Sequence, residues 1–183
     1  MFKRFRRTRF HPSMRALVAQ SAIAKGDLIY PLFARGGTNE RNEVASMPDV
    51  FQLSIDELVK EASAAYDDGI RAVLLFGIPE TKDSVGSAAL DENGIIAKTL
   101  KALKSALPQM LAITDLCFCE YTDHGHCGVI DPRTNSVAND ATLELLAKQA
   151  LLHAKSGADM IAPSGMMDGA IAHLREALDK AGF

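Results

Sequence analysis

Long apolar runs and nucleotide-binding glycine motifs are both missing from this sequence of 183 residues. No apolar stretch approaches the roughly 20 residues that a membrane-spanning helix needs, so we expect no membrane partner. The basic N-terminus is not followed by the apolar core of about 7–15 residues that a secretory signal carries, so we expect no secretory signal. No Gly-x-Gly-x-x-Gly or Walker-type run follows a predicted strand, so nothing favours a nucleotide-binding fold.

Cysteine is scarce as well, and its three residues, Cys117, Cys119 and Cys127, all lie within eleven positions. The odd count and the close spacing argue against a disulfide framework. Three thiols packing as small hydrophobic groups are the plain alternative, but scattered core cysteines would not cluster in this way. The clustering favours a shared metal ion, and thiols kept free for metal favour a reducing, cytoplasmic compartment.

The geometry of the cysteine segment can be predicted from its surroundings. The apolar run 110–118 predicts a strand, and residues two apart on a strand face the same side, so Cys117 and Cys119 project together. The glycines at 125 and 128 allow a turn that returns Cys127 to them. Zinc binds cysteine thiolates tetrahedrally, and three protein ligands are typical of a catalytic zinc with one open position.

Charge is distributed unevenly along the chain. Residues 1–15 carry six basic side chains and no acidic one, whereas the whole chain has a formal net charge of −3, so residues 16–183 carry −9. Such an arm could bind nucleic acid, stay solvated, or pack on the acidic body of a neighbouring subunit. We therefore divide the chain into a basic arm, 1–15, and one domain, 16–183, and the charge pattern alone leaves all three roles of the arm open.

Four apolar runs alternate with four helical patterns after the arm. The runs predict strands over 28–34, 71–77, 110–118 and 158–164, and the patterns predict helices over 55–68, 95–107, 139–156 and 168–180. This alternation implies a parallel sheet with right-handed crossovers, either open or part of a (β/α)8 barrel. In a barrel the chemistry lies at the carboxyl ends of the strands, where Gly77, Asp115 and Ser164 stand here.

Two loops and one helix start carry further predictions. Ser54 and Glu57 form the Ser-x-x-Glu pattern of a capping box at the start of the first of these helices. The segment 38–48 is predicted to be a polar loop. The polar segment 81–94 is either a plain connection or, because it follows a strand, an active-site loop.

The stretch Asp-Leu-Cys-Phe-Cys-Glu-Tyr-Thr-Asp-His-Gly-His-Cys-Gly, residues 115–128, resembles the metal-binding signature of the porphobilinogen synthase (5-aminolevulinate dehydratase) family. The similarity continues in the basic arm and in the segments 72–78, 139–142 and 162–169, in the family's order, and covers nearly the whole chain. Subunits of that family are much longer, so this chain resembles roughly their first half.

This resemblance implies a fold, a reaction and an assembly. The fold would be a (β/α)8 TIM barrel, here about its first four β/α units after the arm. The reaction would condense two 5-aminolevulinate molecules into porphobilinogen with loss of two waters. The arm would wrap a neighbour in a homo-octamer, so the resemblance favours a subunit contact and no nucleic-acid partner for the arm. Two lysines hold the substrates as Schiff bases in this family, and the resemblance places both past position 183. None of the ten lysines present falls in an apolar run.

The resemblance also assigns metal ligands. Cys117, Cys119 and Cys127 match the zinc ligands of the zinc-dependent members residue by residue. Magnesium is a further expected activator. His126 matches a residue of a second, weaker metal site whose partner cysteine is not in this chain, so a hydrogen-bonding role is an equal alternative. His124 is expected to orient the loop.

Two more positions match active-site residues of the family. Asp115 matches an aspartate that orients substrate or relays a proton, and the alternative is a cap on the loop after its strand. Ser164 matches an active-site serine, and the alternative is a turn-forming hydroxyl after Pro163. Gly165 departs from members that carry an acidic residue there. The competing function for the chain is a non-catalytic zinc-binding or subunit-contact module.

Overall fold

The computed structural model describes residues 2–183. Its strands are β1 Ile29–Arg35, β2 Arg41–Glu43, β3 Phe51–Ser54, β4 Ala72–Ile78, β5 Leu111–Leu116, β6 Ile130–Asp131, β7 Ser136–Val137 and β8 Met160–Pro163. Its helices are α1 Pro12–Leu17, α2 Ile55–Asp67, α3 Ile95–Ala106, α4 Asn139–Ser156 and α5 Ala170–Lys180. The four predicted strands and four predicted helices are all present. No helix in the described residues has both the length and the apolar character to cross a membrane.

The main sheet has the strand order β2-β3-β1-β4-β5-β8. β1, β4, β5 and β8 run parallel, with Leu32 aligned with Leu75, Leu75 with Thr114, and Asp115 with Ala162. Neighbouring parallel strands joined through helices are the arrangement of half a (β/α)8 barrel. The carboxyl ends of these strands lie at one edge, so the loops that follow β4, β5 and β8 meet there.

Two strands occupy the region around the predicted loop 38–48, so that prediction is wrong in part. β2 lies inside the region and pairs antiparallel with β3, which itself pairs parallel with β1. All three residues of β2 are polar and exposed. A short edge strand of this kind has no buried face, and its sequence therefore carries no apolar alternation to reveal it.

The predicted capping box at α2 does not form. The hydroxyl of Ser54 accepts a hydrogen bond from the backbone N–H of Glu40 at 3.0 Å and donates to the carboxylate of Asp56 at 2.6 Å. Ser54 is fully buried where β3 passes into α2. Because these partners engage its hydroxyl, Ser54 ties the turn after β1 to the start of α2 instead of capping the helix.

The helix-facing side of the sheet holds the main core. Val73 and Leu75 of β4 lie in one cluster with Leu58 of α2 and with Leu100 and Leu103 of α3. All five side chains are fully buried. Burial of each leucine contributes about 2 kcal/mol, which fixes α2 and α3 against the strands whose ends carry the loops of interest.

A second core cluster lies at the start of the cysteine segment. Phe118 and Tyr121 belong to it together with Leu116 of β5, Leu146 of α4 and Leu174 of α5. Phe118 is fully buried and Tyr121 nearly so. Two aromatic side chains therefore anchor the loop after β5 to the helices behind it.

The opposite face of the sheet is only partly covered. Ile29, Leu111 and Met160 lie on it, and they are 53%, 37% and 51% exposed. Asp115 stands on the same face, at the carboxyl end of β5, because residues two apart on a strand share a face. Residues 2–28, which include the basic arm and α1, are all exposed.

Candidate metal and active site

The cysteine segment starts where β5 ends. Because the strand stops one residue before Cys117, the prediction that Cys117 and Cys119 share a strand face is wrong. The side chain of Phe118 enters the second core, and the backbone N–H groups of Tyr121 and Thr122 both donate to its carbonyl at 2.9 Å. This tight turn, and not strand alternation, brings the two cysteines together.

The three cysteines converge as the sequence predicts. The sulfur atoms of Cys117, Cys119 and Cys127 all lie within 4.8 Å of one another, and those of Cys117 and Cys119 are 3.3 Å apart. Cys117 is buried and the other two are half-buried. A zinc–sulfur bond of about 2.3 Å puts tetrahedral thiolates about 3.8 Å apart, so a zinc ion fits among these three sulfurs with a small adjustment.

Burial shifts the pKa of two of these thiols, Cys119 and Cys127. It raises the pKa of Cys119, and the hydrogen bond and charge of Cys117 raise that pKa further. Burial also raises the pKa of Cys127, with Cys117 adding to the effect. Three neighbouring thiolates repel one another, so a cation among them is what would favour their ionised form.

Gln149 of α4 lies directly behind the cluster. Its side-chain amide nitrogen donates to the backbone carbonyl of Cys117 at 3.5 Å, and the side chain is fully buried. Sequence reasoning did not single out this residue. A pattern in α4 could have indicated it. The buried residues of this helix form a stripe that faces the sheet, and polar side chains recur within the stripe: Thr142, Leu146, Gln149, His153 and Ser156.

Asp115 and Ser164 come together at the carboxyl ends of β5 and β8. The backbone N–H of Ser164 donates to the carbonyl of Leu116 at 3.4 Å, which holds the loop after β8 beside β5. Burial raises the pKa of the Asp115 carboxyl, and a hydrogen bond from Ser164 partly opposes that rise. Asp115 is buried, whereas Ser164 is exposed and open to a ligand.

Glu120 is a second acidic group at this edge, and the sequence analysis gave it no role. Burial, followed by the charge of Asp115, raises the pKa of Glu120 to about 7, while a hydrogen bond from the backbone of Gly77 and the charge of Lys82 act in the opposite direction. Glu120 can therefore hold or release a proton near neutral pH. The signal for it was available, since it lies inside the cysteine segment.

The two histidines of the segment stand apart from the sulfurs. His124 donates from Nε2 to the carbonyl of Ser84 at 3.1 Å, and its Nδ1 accepts from the backbone N–H of His126 at 3.1 Å. The ring of His126 is exposed and does not belong to the sulfur group found within residues 2–183. His124 thus links the cysteine segment to the preceding loop, and the second metal site at His126 stays a prediction.

A cavity of about 400 Å³ lies elsewhere, at the ends of β1 and β4. Its lining includes Gly36, Glu80, Asp91 and Lys98. The cysteines, Asp115 and Ser164 do not contribute to that lining. The cavity is therefore separate from the cysteines, Asp115 and Ser164 at the ends of β5 and β8, although the segment 81–94, the candidate active-site loop, contributes to its lining.

The lysines are placed as predicted. Within the described residues no lysine lies on a strand, and nine of the ten are exposed. Lys104 is half-buried and donates to the carbonyl of Met110 at 2.9 Å and to the carboxylate of Asp159. Nine of these amines are open to solvent and that of Lys104 is paired with a carboxylate, so none has the dry, unpaired setting of a Schiff-base lysine.

Comparisons with known proteins cover the whole chain. The family model described as delta-aminolevulinic acid dehydratase matches residues 2–183. Delta-aminolevulinic acid dehydratase of Staphylococcus epidermidis is 47% identical over 182 residues, which are 100% of this chain and 56% of that protein. The Helicobacter pylori protein of the same name is 49% identical over 184 residues, again 100% of this chain and 56% of that protein.

A solved structure of the family has the same fold as this chain. The crystal structure of delta-aminolevulinic acid dehydratase (porphobilinogen synthase) from Toxoplasma gondii ME49, in complex with the product porphobilinogen, has a TM-score of 0.93 and 36% identity. The match covers 100% of this chain and 52% of that one, which confirms the prediction of a partial barrel. This chain spans about half the length of the curated relatives it matches, and it belongs to the delta-aminolevulinic acid dehydratase family.

Proposed function

We propose that this chain supplies the metal-binding half of an enzyme that condenses two 5-aminolevulinate molecules into porphobilinogen with loss of two waters. One observation carries the proposal. Three sulfur atoms within 4.8 Å of one another lie at the carboxyl end of β5, directly after Asp115, which is the strand end where a (β/α)8 barrel holds its chemistry. The family relationship supplies the reaction class.

The donor set favours zinc as the metal. Cys117, Cys119 and Cys127 would hold it, since cysteine thiolates suit zinc and a three-ligand site leaves one position open. Bound zinc would supply Lewis acidity toward a substrate carbonyl or amine. Magnesium prefers oxygen ligands, which this cluster does not offer, so the expected magnesium activator is not part of the proposal.

The remaining polar groups of the site handle protons and orientation. Asp115 is buried with a raised pKa, so it can accept a hydrogen bond from a substrate amine and take up a proton from it. Ser164 presents an exposed hydroxyl beside it to a polar substrate group. Glu120, whose pKa is about 7, is suited to exchange a proton with Asp115 near neutral pH.

The covalent step needs groups that this half does not offer. A Schiff base requires a neutral amine in an apolar setting, and the lysines described above are exposed or ion-paired. In the proposed enzyme both Schiff-base lysines would lie past position 183. We therefore expect residues 1–183 alone to bind metal without turnover.

The second candidate is a non-catalytic zinc-binding or subunit-contact module, and the placement of the lysines favours it for the chain on its own. The basic arm supports a subunit contact, because Phe2, Phe5 and Phe10 are 70–75% exposed among its arginines. In the proposed enzyme this arm would pack on a neighbour in a homo-octamer. Free thiols used for metal also fit the reducing cytoplasm as the compartment.

Metal analysis of the purified chain tests the proposal. We expect about one zinc per chain, and Cys119→Ala should weaken zinc by orders of magnitude, because it removes one of three thiolates. His126→Ala is the matched control, since that exposed ring lies outside the sulfur group, and it should keep its zinc. A Cys119→Ala chain with unchanged zinc content would refute the site.

A further inference from the structure

The turn formed by residues 83–87, called here the Asp83 turn, is organised by a single carboxylate. Asp83 accepts hydrogen bonds from the backbone N–H groups of Val85 and Ser87, both at 3.0 Å, and from the hydroxyl of Ser87. These bonds to the ionised form lower the pKa of Asp83. The carboxylate thereby fixes the shape of its own turn.

The backbone of Asp83 faces the cysteine segment. Its N–H donates to the carbonyl of Tyr121 at 3.3 Å, and its carbonyl accepts from the N–H of Asp123 at 3.1 Å. These two hydrogen bonds form a parallel β-bridge between Asp83 and Thr122. The neighbouring carbonyl of Ser84 accepts from His124 at 3.1 Å. Three hydrogen bonds therefore join the Asp83 turn to residues 121–124.

Close packing joins the same two segments. Gly86 lies in the turn with φ +64°, and a Cβ there would stand 2.6 Å from the ring of Phe118 and 3.3 Å from the Cβ of Tyr121. Only glycine fits this contact, both for its backbone angle and for the space available. The turn thus packs directly against Phe118 and Tyr121, the two aromatic residues that anchor the cysteine segment.

We propose that Asp83 is a positioning residue of the metal site, acting through backbone contacts that hold residues 121–124 between Cys119 and Cys127. The inference rests on the proposed metal-binding function but uses no atom of Asp83 as a ligand. Cys127 reaches the other two sulfurs only if the intervening loop keeps its path. Thr122 closes that loop by donating to the carbonyl of His126 at 2.9 Å, and the Asp83 turn holds the opposite side.

The energetic reason is the ordering of the loop. If the segment 120–126 is free to move, zinc must order it on binding. The entropy lost in that ordering opposes binding and makes it weaker. Groups that hold ligands in place without touching the metal typically change affinity 10–100-fold when they are removed. Asp83→Ala removes the carboxylate that shapes the turn, so we expect an effect of about that size.

Three variants of the full 183-residue chain separate this role from general destabilisation. Asp83→Ala removes the carboxylate, while Asp83→Asn keeps an oxygen that can accept from Val85 and Ser87 and should largely restore the turn. Asp91→Ala is the matched control, because Asp91 lies in the same loop and its carboxylate accepts a hydrogen bond only from the N–H of Asn93, at 2.8 Å, and none from the cysteine segment. Ser87→Ala is a milder change in the same direction.

Two measurements apply to each variant. Hydrogen exchange in metal-free protein reports the protection of amides 119–127, including that of Asp123. Competition titration gives zinc affinity, and the thiolate-to-cobalt charge-transfer absorption of the cobalt(II) form reports how many sulfurs bind. We expect Asp83→Ala to lose amide protection, to bind zinc about 10–100-fold more weakly and to show a reduced charge-transfer band, while Asp91→Ala and Asp83→Asn stay close to wild type.

The outcomes distinguish this inference from the proposed function. Unchanged protection and unchanged zinc affinity in Asp83→Ala would overturn the role of Asp83 and leave the metal site intact. A wild-type chain that binds neither zinc nor cobalt(II) would instead overturn the metal site itself. Equal losses in Asp83→Ala and Asp91→Ala would also overturn the inference, because they would indicate general loosening of the loop.

Discussion

The imidazole Nδ1 of His153 lies 3.0 Å from the hydroxyl of Thr114, in a fully enclosed contact between α4 and β5. His153 is 1% exposed and Thr114 is 0% exposed. Burial lowers the pKa of His153 from 6.5 to about 4. The folded protein therefore keeps this histidine neutral at a pH where the unfolded chain would protonate it.

We expect this histidine to make the chain less stable in acid. Between pH 6.5 and about 4 the unfolded state binds a proton that the folded state excludes, so the free energy of unfolding falls as the pH is lowered through that window. The loss attributable to His153 is about 2 kcal/mol between pH 7 and pH 5. Urea unfolding at both pH values measures it.

His153→Gln should remove that part of the pH dependence, since glutamine does not titrate. His11→Gln is the matched control, because it makes the same substitution at an exposed histidine of the arm and leaves the buried histidine in place. A His153→Gln chain that loses as much stability between pH 7 and pH 5 as the wild type would contradict the assignment.

Gly77 makes room for the cysteine segment. A Cβ at Gly77 would stand 2.5 Å from the phenol oxygen of Tyr121 and 2.7 Å from Ile96 Cγ1. We expect Gly77→Ala to lower the free energy of unfolding by about 2 kcal/mol, because an added methyl group in a packed site forces its neighbours apart. Gly165→Ala, where a Cβ meets nothing within 4 Å, should be nearly neutral. Denaturant unfolding compares the two, and equal stabilities would argue against this contact.

The exposed arm should contribute to assembly. In a full-length protein carrying these residues, deletion of 1–15 should give smaller oligomers in sedimentation velocity, because it removes three exposed phenylalanines and six basic residues. Replacing only Phe2, Phe5 and Phe10 by alanine distinguishes an apolar contact from a charge contact. An oligomer of unchanged size after the deletion would identify the arm as a solvated tail.

Residues 1–183 alone should form no imine with substrate. The soluble chain can be incubated with 5-aminolevulinate and borohydride, which fixes Schiff bases as a mass increase. We expect no stoichiometric adduct, because the lysines are exposed or, for Lys104, paired with Asp159. One adduct per chain at a single lysine, together with porphobilinogen formation, would place the covalent chemistry in this half after all.

Local patterns predicted the elements of the repeating β/α units, because each buried strand and each amphipathic helix is encoded by neighbouring residues. They did not predict β2, whose three residues are all polar and exposed and so carry no apolar alternation. The cysteine cluster was predicted from composition and spacing, although a turn at Phe118 and not a strand brings Cys117 and Cys119 together.

The supporting residues of the site escaped the sequence for a different reason. Asp83 and Gln149 act through hydrogen bonds to residues about 30–40 positions away. The local periodicity of apolar residues carries no information about partners at that separation. Glu120 was visible in the cysteine segment, but its raised pKa depends on burial and on the nearby Asp115, which only the folded chain defines.

The parallel register of the sheet has a kinetic consequence. Ile29 pairs with Ala72, Ala72 with Leu111, and Ile113 with Met160, so each pairing joins residues about 40 or more positions apart. Such long loops must close before any strand pair stabilises the chain, which is typical of folding over milliseconds to seconds. β8 is the edge strand at one end of the sheet, and intermolecular pairing there competes with folding during that interval. The yield of refolded chain should therefore fall as protein concentration rises, even where the native state itself is stable.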